Sequence, residues 1–255
     1  MKYNQSDVKS FFYGCLLGDS NIHNNIFSVH QISKDLIDFK YNFIKRFLPN
    51  CRVKITEEER YTDKKGVHHQ KAYRLTAGPH PLITKMDKLF YHNGRKVYPY
   101  GIISKLTPIG YAMWYADDGT TVLVQKGLGT DGSAKSRRIQ FCTDNFTLEE
   151  HYQIAKELTE TKKYTSKIIN RHRNNQYRTQ ISVKDGQSLF LEIYHFFLYY
   201  FPSLLYKMDL GYRGKALMKR QYVSEEYYQM FIKISACSQF KDRIENDIVQ
   251  TTTSS

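Results

Sequence analysis

The sequence predicts an α+β fold of two pseudo-symmetric α-β-β-α-β-β-α repeats, each with an antiparallel sheet, packed together through one short helix from each repeat. Three observations predict it. A short apolar helix ending in an acidic residue occurs twice, at residues 11–20 and 109–119. The same order of strand-like and helix-like segments follows each copy. No linker rich in Pro, Gly or Ser separates the copies, as expected of two small units sharing a core. The predicted division is a first repeat at 1–105, a second at 106–218, and an extension at 219–255 without a counterpart.

In the first repeat a strand-like segment at 21–32 precedes a helix starting near Asp35, where Leu36, Phe39, Phe43 and Phe47 recur at helical spacing. Strands follow at 51–60 and 69–77 around the turn signal at 63–66, and a helix runs from Pro81 to Tyr91. In the second repeat Thr107 is placed to cap the helix and Pro108 suits its first position. Strands at 121–125 and 137–143 flank a Gly-rich loop. A helix begins near Thr147 with Glu149 and Glu150 in its first turn. Strands at 164–171 and 177–183 and a helix at 186–200 close the repeat. Part of the extension, 225–237, reads as helical, and 247–255 as a disordered tail.

Composition narrows the partner. Lys and Arg total 38 against 25 Asp and Glu, a net charge of +13, which points first to nucleic acid. The 21 tyrosines suit a wet basic interface but suit an A+T-rich gene equally well. The four cysteines, Cys15, Cys51, Cys142 and Cys237, form no CxxC pair, which argues against zinc and for reduced thiols inside a cell. No apolar signal segment opens the chain. The one span-like stretch, 189–206, is interrupted by Glu192, His195 and Pro202, so no membrane partner is expected.

The two motif helices carry small residues one turn apart, Gly14 and Gly18 in one, Ala112 and Ala116 in the other. Small residues at this spacing let helix backbones approach closely. Each helix then ends in a carboxylate, Asp19 and Asp118, at the negative end of the macrodipole, and Asp117 doubles the second. That placement costs about 0.3–1 kcal/mol per acid. If the helices pack, the acids also repel each other. Divalent cations relieve both penalties, and oxygen ligands without Cys or His favour Mg²⁺.

Residues 12–20 and 111–119 resemble the two motifs of the LAGLIDADG homing-endonuclease family, in its single-chain form with two motifs. The segments Leu106-Thr107-Pro108 and Tyr206-Lys207-Met208 also match, and Ser20 departs from the final Gly of the motif. The resemblance implies that Asp19 and Asp118 are catalytic and bind metal beneath the minor groove at the centre of a DNA site. Each serves one strand or shares a central metal, giving a double-strand break with short 3′ overhangs. It implies Mg²⁺ as cofactor, Mn²⁺ as a substitute, and Ca²⁺ as an ion that binds without supporting cleavage. A basic residue per half near the cleaved phosphate falls on Lys96 and Lys207. A polar residue orienting water falls on His30 or Gln31 in the first half and on Gln140 or Cys142 in the second; Gln31 and Gln140 are the assigned pair.

Two sheets of this kind each saddle the major groove, and alternate side chains face DNA. The contact candidates are Arg52, Lys54, Lys71, Tyr73 and Arg74, then Arg137, Arg138, Lys167, Arg171, Arg173, Gln176, Arg178, Gln180 and Lys184. The expected partner is double-stranded DNA, bound by a monomer at a long asymmetric site. Alternatives are an RNA maturase on the same fold, binding intron RNA, and a non-catalytic DNA-binding protein. An intein-embedded enzyme is disfavoured because no splicing-domain sequence surrounds the core. The resemblance implies an intracellular protein, in a mitochondrion or chloroplast if intron-encoded and otherwise bacterial or phage.

Overall fold

The computed structural model describes residues 2–62, 68–123, 137–171, 176–208 and 225–235. The first half runs α1 (Gln5–Leu17), β1 (Asn21–His23), β2 (Ile26–Gln31), α2 (Lys34–Phe47), β3 (Val53–Glu58), short β4 (Tyr61–Thr62) and β5 (His68–His69), β6 (Ala72–Ala77) and α3 (Pro81–Phe90). A small hairpin, β7 (Tyr91–His92) and β8 (Arg95–Lys96), ends it. The second half runs α4 (Pro108–Asp118), β9 (Gly119–Leu123), β10 (Arg137–Phe141), α5 (Leu148–Lys162), β11 (Ser166–Arg171), β12 (Gln176–Ile181) and α6 (Val183–Tyr199). A 3-10 turn at Pro202–Met208 follows, and α7 (Glu225–Ser235) packs on α6.

The sheets repeat one topology. Their orders are β1-β2-β6-β3 and β9-β10-β12-β11, all antiparallel. The segment at 21–32 is a hairpin rather than one strand. Asn24 and Asn25 take φ of 51° and 58°, the paired positive values that a two-residue turn matching strand twist requires. Asn93 and Gly94, at 50° and 75°, build the β7–β8 turn the same way.

Helix starts follow the capping signals. Asn4 with Asp7, and Thr147 with Glu150, form capping boxes on α1 and α5, while Ser33 and Ser182 cap α2 and α6. Ser182 therefore ends β12 earlier than the alternation suggested and places Lys184 in a helical turn. Thr107 stands at the N-cap of α4 but does not cap it. Its N–H donates to Ser10 Oγ (2.8 Å) and its hydroxyl to Asp7 Oδ1 (2.8 Å), tying the start of α4 to α1.

Helices α1 and α4 are buried all round, from Ser10 to Leu17 and from Ile109 to Asp117, which marks them as the central pair. A Cβ on Gly14 would lie 2.0 Å from Gly110 O, and one on Gly18 would lie 2.6 Å from Asp117 Cβ. Gly110, rather than an alanine, is thus what meets Gly14. The halves are also cross-tied. Asp35, opening α2, accepts from Ser203 N (2.8 Å) and Oγ (2.6 Å). Glu150, opening α5, accepts from Arg95 Nη2 (2.7 Å) and Tyr98 N (2.9 Å), and Glu157 from Ile103 N (3.0 Å). Among the described residues no helix is long and apolar enough to cross a membrane.

Candidate active site

Closely packed motif helices bring their ends together, and with them Asp19 and Asp118. The two carboxyls lie close enough for the charge of Asp19 to act on Asp118. Burial, and then the negative charge of Asp19, push Asp118 well above the usual carboxylate range. Two oxygen-donor acids crowded at helix C-termini fit a divalent cation, whose charge would offset both the repulsion and the dipole. Neither turn needs a left-handed residue. Ser20 has no positive φ, and Gly119 sits at −74°, where an added Cβ would meet the Tyr115 ring at 2.1 Å.

The two lysines form matching clamps. Lys96 Nζ donates to Gly18 O (2.8 Å) and Ser20 O (2.9 Å), the carbonyls on either side of Asp19. Lys207 Nζ donates to Ala116 O (2.6 Å) and Asp117 O (3.0 Å), just before Asp118. Each ammonium thus answers the negative pole of its motif helix. Burial lowers Lys96 to about 8 against the opposing pull of Asp118, Asp117 and Asp19, and burial lowers Lys207 as well.

Beside Asp19, Gln31 Nε2 donates to Asp19 Oδ2 (2.8 Å) and to Asp117 Oδ1 (3.3 Å). Its alternative, His30, is on the open sheet face with Glu58 (3.0 Å). The second half differs. Gln140 pairs with Thr120 and Gln180 inside the sheet, and the residue reaching Asp118 is Cys142, whose N–H donates to Asp118 O (2.9 Å). Burial pushes the Cys142 thiol up to about 11. Gln31 and Gln140 are therefore not structural mates.

Sequence reasoning missed one group entirely. Lys40 reaches across from α2 and donates to Asp117 Oδ1 (2.7 Å) and Oδ2 (2.8 Å), with both side chains 0% exposed. Burial opposes the charge on Lys40, but Asp117 outweighs it and holds the ammonium above its usual range. A signal was present: Lys40 falls on the inward stripe with Leu36, Phe43 and Ile44.

Strand parity sorts the contact candidates. In the first sheet Lys54, Thr56, Arg74 and His30 share the open face, with Glu58 bonded to Arg74 (2.9 Å). Lys71 and Tyr73 belong to the opposite face, where Lys71 pairs with Glu57 and Lys34 lies over the Tyr73 ring, so they do not stand beside Arg74. Arg52 precedes β3 rather than standing in it. In the second sheet Arg138, Gln140, Lys167, Arg178, Gln180, Gln176 and the backbone position of Arg171 share one face by parity, but Gln140 and Gln180 are buried within it. The backbone position of Arg137 has the opposite parity, and exposed Lys184 stands in α6 rather than the sheet. Arg178 is bonded to Asp144 (3.1 and 3.2 Å). Arg173, the Gly-rich loop and the tail at 247–255 lie outside the described residues, as do the side chains of Arg137 and Arg171.

Comparison with known proteins agrees with this geometry. A family model described as "LAGLIDADG DNA endonuclease family" matches residues 9–189. Among curated proteins the chain is similar to "Protein RecA" of Mycobacterium shimoidei, 25% identical over 147 residues, covering 57% of this chain and 34% of that protein. It is also similar to "Cytochrome b mRNA maturase bI2" of Debaryomyces hansenii, 26% identical over 156 residues, covering 58% of this chain and 54% of that protein. The chain thus matches between a third and about half the length of these relatives. The structure described as "The homing endonuclease I-WcaI bound to its DNA recognition sequence" shares the fold, with TM-score 0.65 and 18% identity over 82% of this chain and 89% of that one.

Proposed function

The chain belongs to the LAGLIDADG DNA endonuclease family, and on that premise we propose that it is a site-specific, divalent-metal-dependent endonuclease that makes a double-strand break in a long asymmetric DNA target. The observation that carries this reading is the meeting of Asp19 and Asp118 at the ends of the packed helices, with a lysine clamped behind each. A structural helix pair gains nothing from two crowded acids.

Asp19 and Asp118 would hold the metal, with Mg²⁺ preferred, Mn²⁺ able to replace it, and Ca²⁺ binding without turnover. When bound, the metal supplies Lewis acidity at the scissile phosphates and lowers the pKa of water. The protein does the rest. The Lys96 and Lys207 clamps hold the two acid-bearing turns and add positive charge behind the phosphates. Gln31 orients a water on the first side. The open sheet faces position the duplex, Arg138, Lys167 and Arg178 in one half and Lys54 and Arg74 in the other. Two motifs in one chain make a monomer sufficient, and the repeats at 1–105 and 106–218 are its two functional units.

The test is cleavage of a randomised double-stranded DNA library with Mg²⁺, comparing wild type with Asp19→Asn and Asp118→Asn. Cuts within one long sequence, lost in either variant, are expected. Similarity to a maturase supports a second reading, an intron RNA cofactor. Binding to structured RNA alone, with no DNA cut, would favour it.

A further inference from the structure

Resting on the cleavage reading above, we propose that Lys40 is a positioning residue for Gln31, and that it makes the two cleavage centres chemically unequal. The chain of contacts is continuous. Lys40 grips both oxygens of Asp117, and Asp117 with Asp19 receives the Gln31 amide nitrogen. Carboxylates only accept hydrogen bonds, so the amide must turn its NH₂ toward them. The amide orientation is thereby fixed, with Oε1 left as the acceptor end for a water beside Asp19. Asp117 serves this purpose only while held, because an unheld buried carboxylate has no fixed place to receive the amide.

Among the described residues the second half has no equivalent. Aligning Asp19 with Asp118 sets Ile22 on Thr121, whose strand partners are Phe27 and Ile139. Counted from there, Gln31 falls on Thr143, whose carbonyl faces His151. Aligning the helix caps Ser33 and Thr147 sets Lys40 on Ile154, fully buried. Asp117 itself falls on Gly18, which has no side chain and no room for one. Lys, Asp and Gln are replaced by Ile, Gly and Thr, so the amide-held water belongs to one centre alone.

The experiment follows each strand separately, on end-labelled target, for wild type, Lys40→Met/Asp117→Ala and Gln31→Ala. The double change removes both charges together, so neither is stranded. DNA binding in Ca²⁺ should stay within about threefold of wild type. Both variants should slow the same strand by at least about tenfold relative to the other. A second readout needs neither metal nor DNA. In the wild type the Gln31 side-chain NH₂ resonances, identified by their loss in Gln31→Ala, should exchange slowly with water. In the double variant they should exchange fast. Equal slowing of both strands, unchanged strand ratios, or unchanged amide exchange would each overturn the proposal. If the double variant does not fold, Lys40→Gln/Asp117→Asn, a neutral pair of similar size, takes its place: faster amide exchange and slowing of the same strand are expected, and wild-type values of both overturn the proposal. A wild type that cuts neither strand would instead sink the cleavage reading.

Discussion

Asp19 and Asp118 share one cluster of charges, but among the described residues only Asp19 receives a side-chain amide. Gln31 bonds Asp19, with Asp117 and Lys40 behind it; on the other side Cys142 N–H bonds the Asp118 carbonyl, and the positions that align with Gln31 and Lys40 are Thr143, whose buried hydroxyl has no partner among the described residues, and apolar Ile154. What the halves share is backbone: sheet order, capped helix starts and a lysine on the carbonyls of each motif turn. What they do not share is the side chains next to the acids. A duplicated fold keeps the contacts that hold main chain in place and is free to vary the rest.

The largest expected effect breaks this comparison at its buried pair. Lys40→Met takes away the cation bonded to the Asp117 carboxyl, which burial already pushes above the usual carboxylate range, and breaking a buried pair in this way costs about 3–5 kcal/mol. The same residue type at the mate position, Ile154→Met, exchanges one apolar side chain for another and costs under about 1.5 kcal/mol. Urea unfolding of the two variants measures both. Equal losses would mean that the pair is no more than ordinary packing.

A smaller effect sharpens the comparison on the sheets. The first open face sets Lys54 and Arg74 against Glu58, whereas among the described residues the second sets Arg138, Lys167 and Arg178 against Asp144 alone. Lys167 is therefore expected to meet phosphate. Lys167→Ala should weaken DNA binding and reduce the slope of log affinity against log salt by about 1. Lys71→Ala, changing a lysine engaged by Glu57 and Glu59 on the other face, should leave the slope unaltered. A change of slope at Lys71 would show that strand parity misplaces it.

These cases show where the sequence was legible. The repeat and the acids stood out because short-range signals mark them: helix period, small-residue spacing and terminal carboxylates; the two lysines came only from the family resemblance. Gln31 was named, with its neighbour His30 as the alternative. The pairing of Lys40 with Asp117 was not, because it spans the two halves and only packing shows it. Lys71 and Tyr73 do not share the face of Arg74 for a local reason. Period-2 alternation cannot place residues 71, 73 and 74 on one face, and charge was followed where parity should have ruled. The Asn-Asn and Asn-Gly turns were readable but were passed over for their flanking strands.

The smallest effect tests the difference between α2 and α5. Counting from the caps, buried Ile37 in α2 has His151 as its mate in α5. His151 Nε2–H donates to Thr143 O (3.2 Å), and Nδ1 lies 2.9 Å from Thr179 Oγ1, a hydroxyl that can donate to the neutral ring. Burial lowers its pKa below 6.5, although the Thr143 carbonyl, Asp144 and Glu150 pull the other way. The unfolded chain therefore takes up a proton near pH 6.5 that the native ring refuses. Stability from this site is complete above that pH and falls as the pH drops below it, by at most about 1.4 kcal/mol per pH unit. His151→Gln keeps a donor and an acceptor but does not titrate. Its unfolding free energy should decline less between pH 6.5 and 5.5 than that of the wild type. Parallel curves would show that the ring gains its proton in the native state and that α5, like α2, is silent to pH.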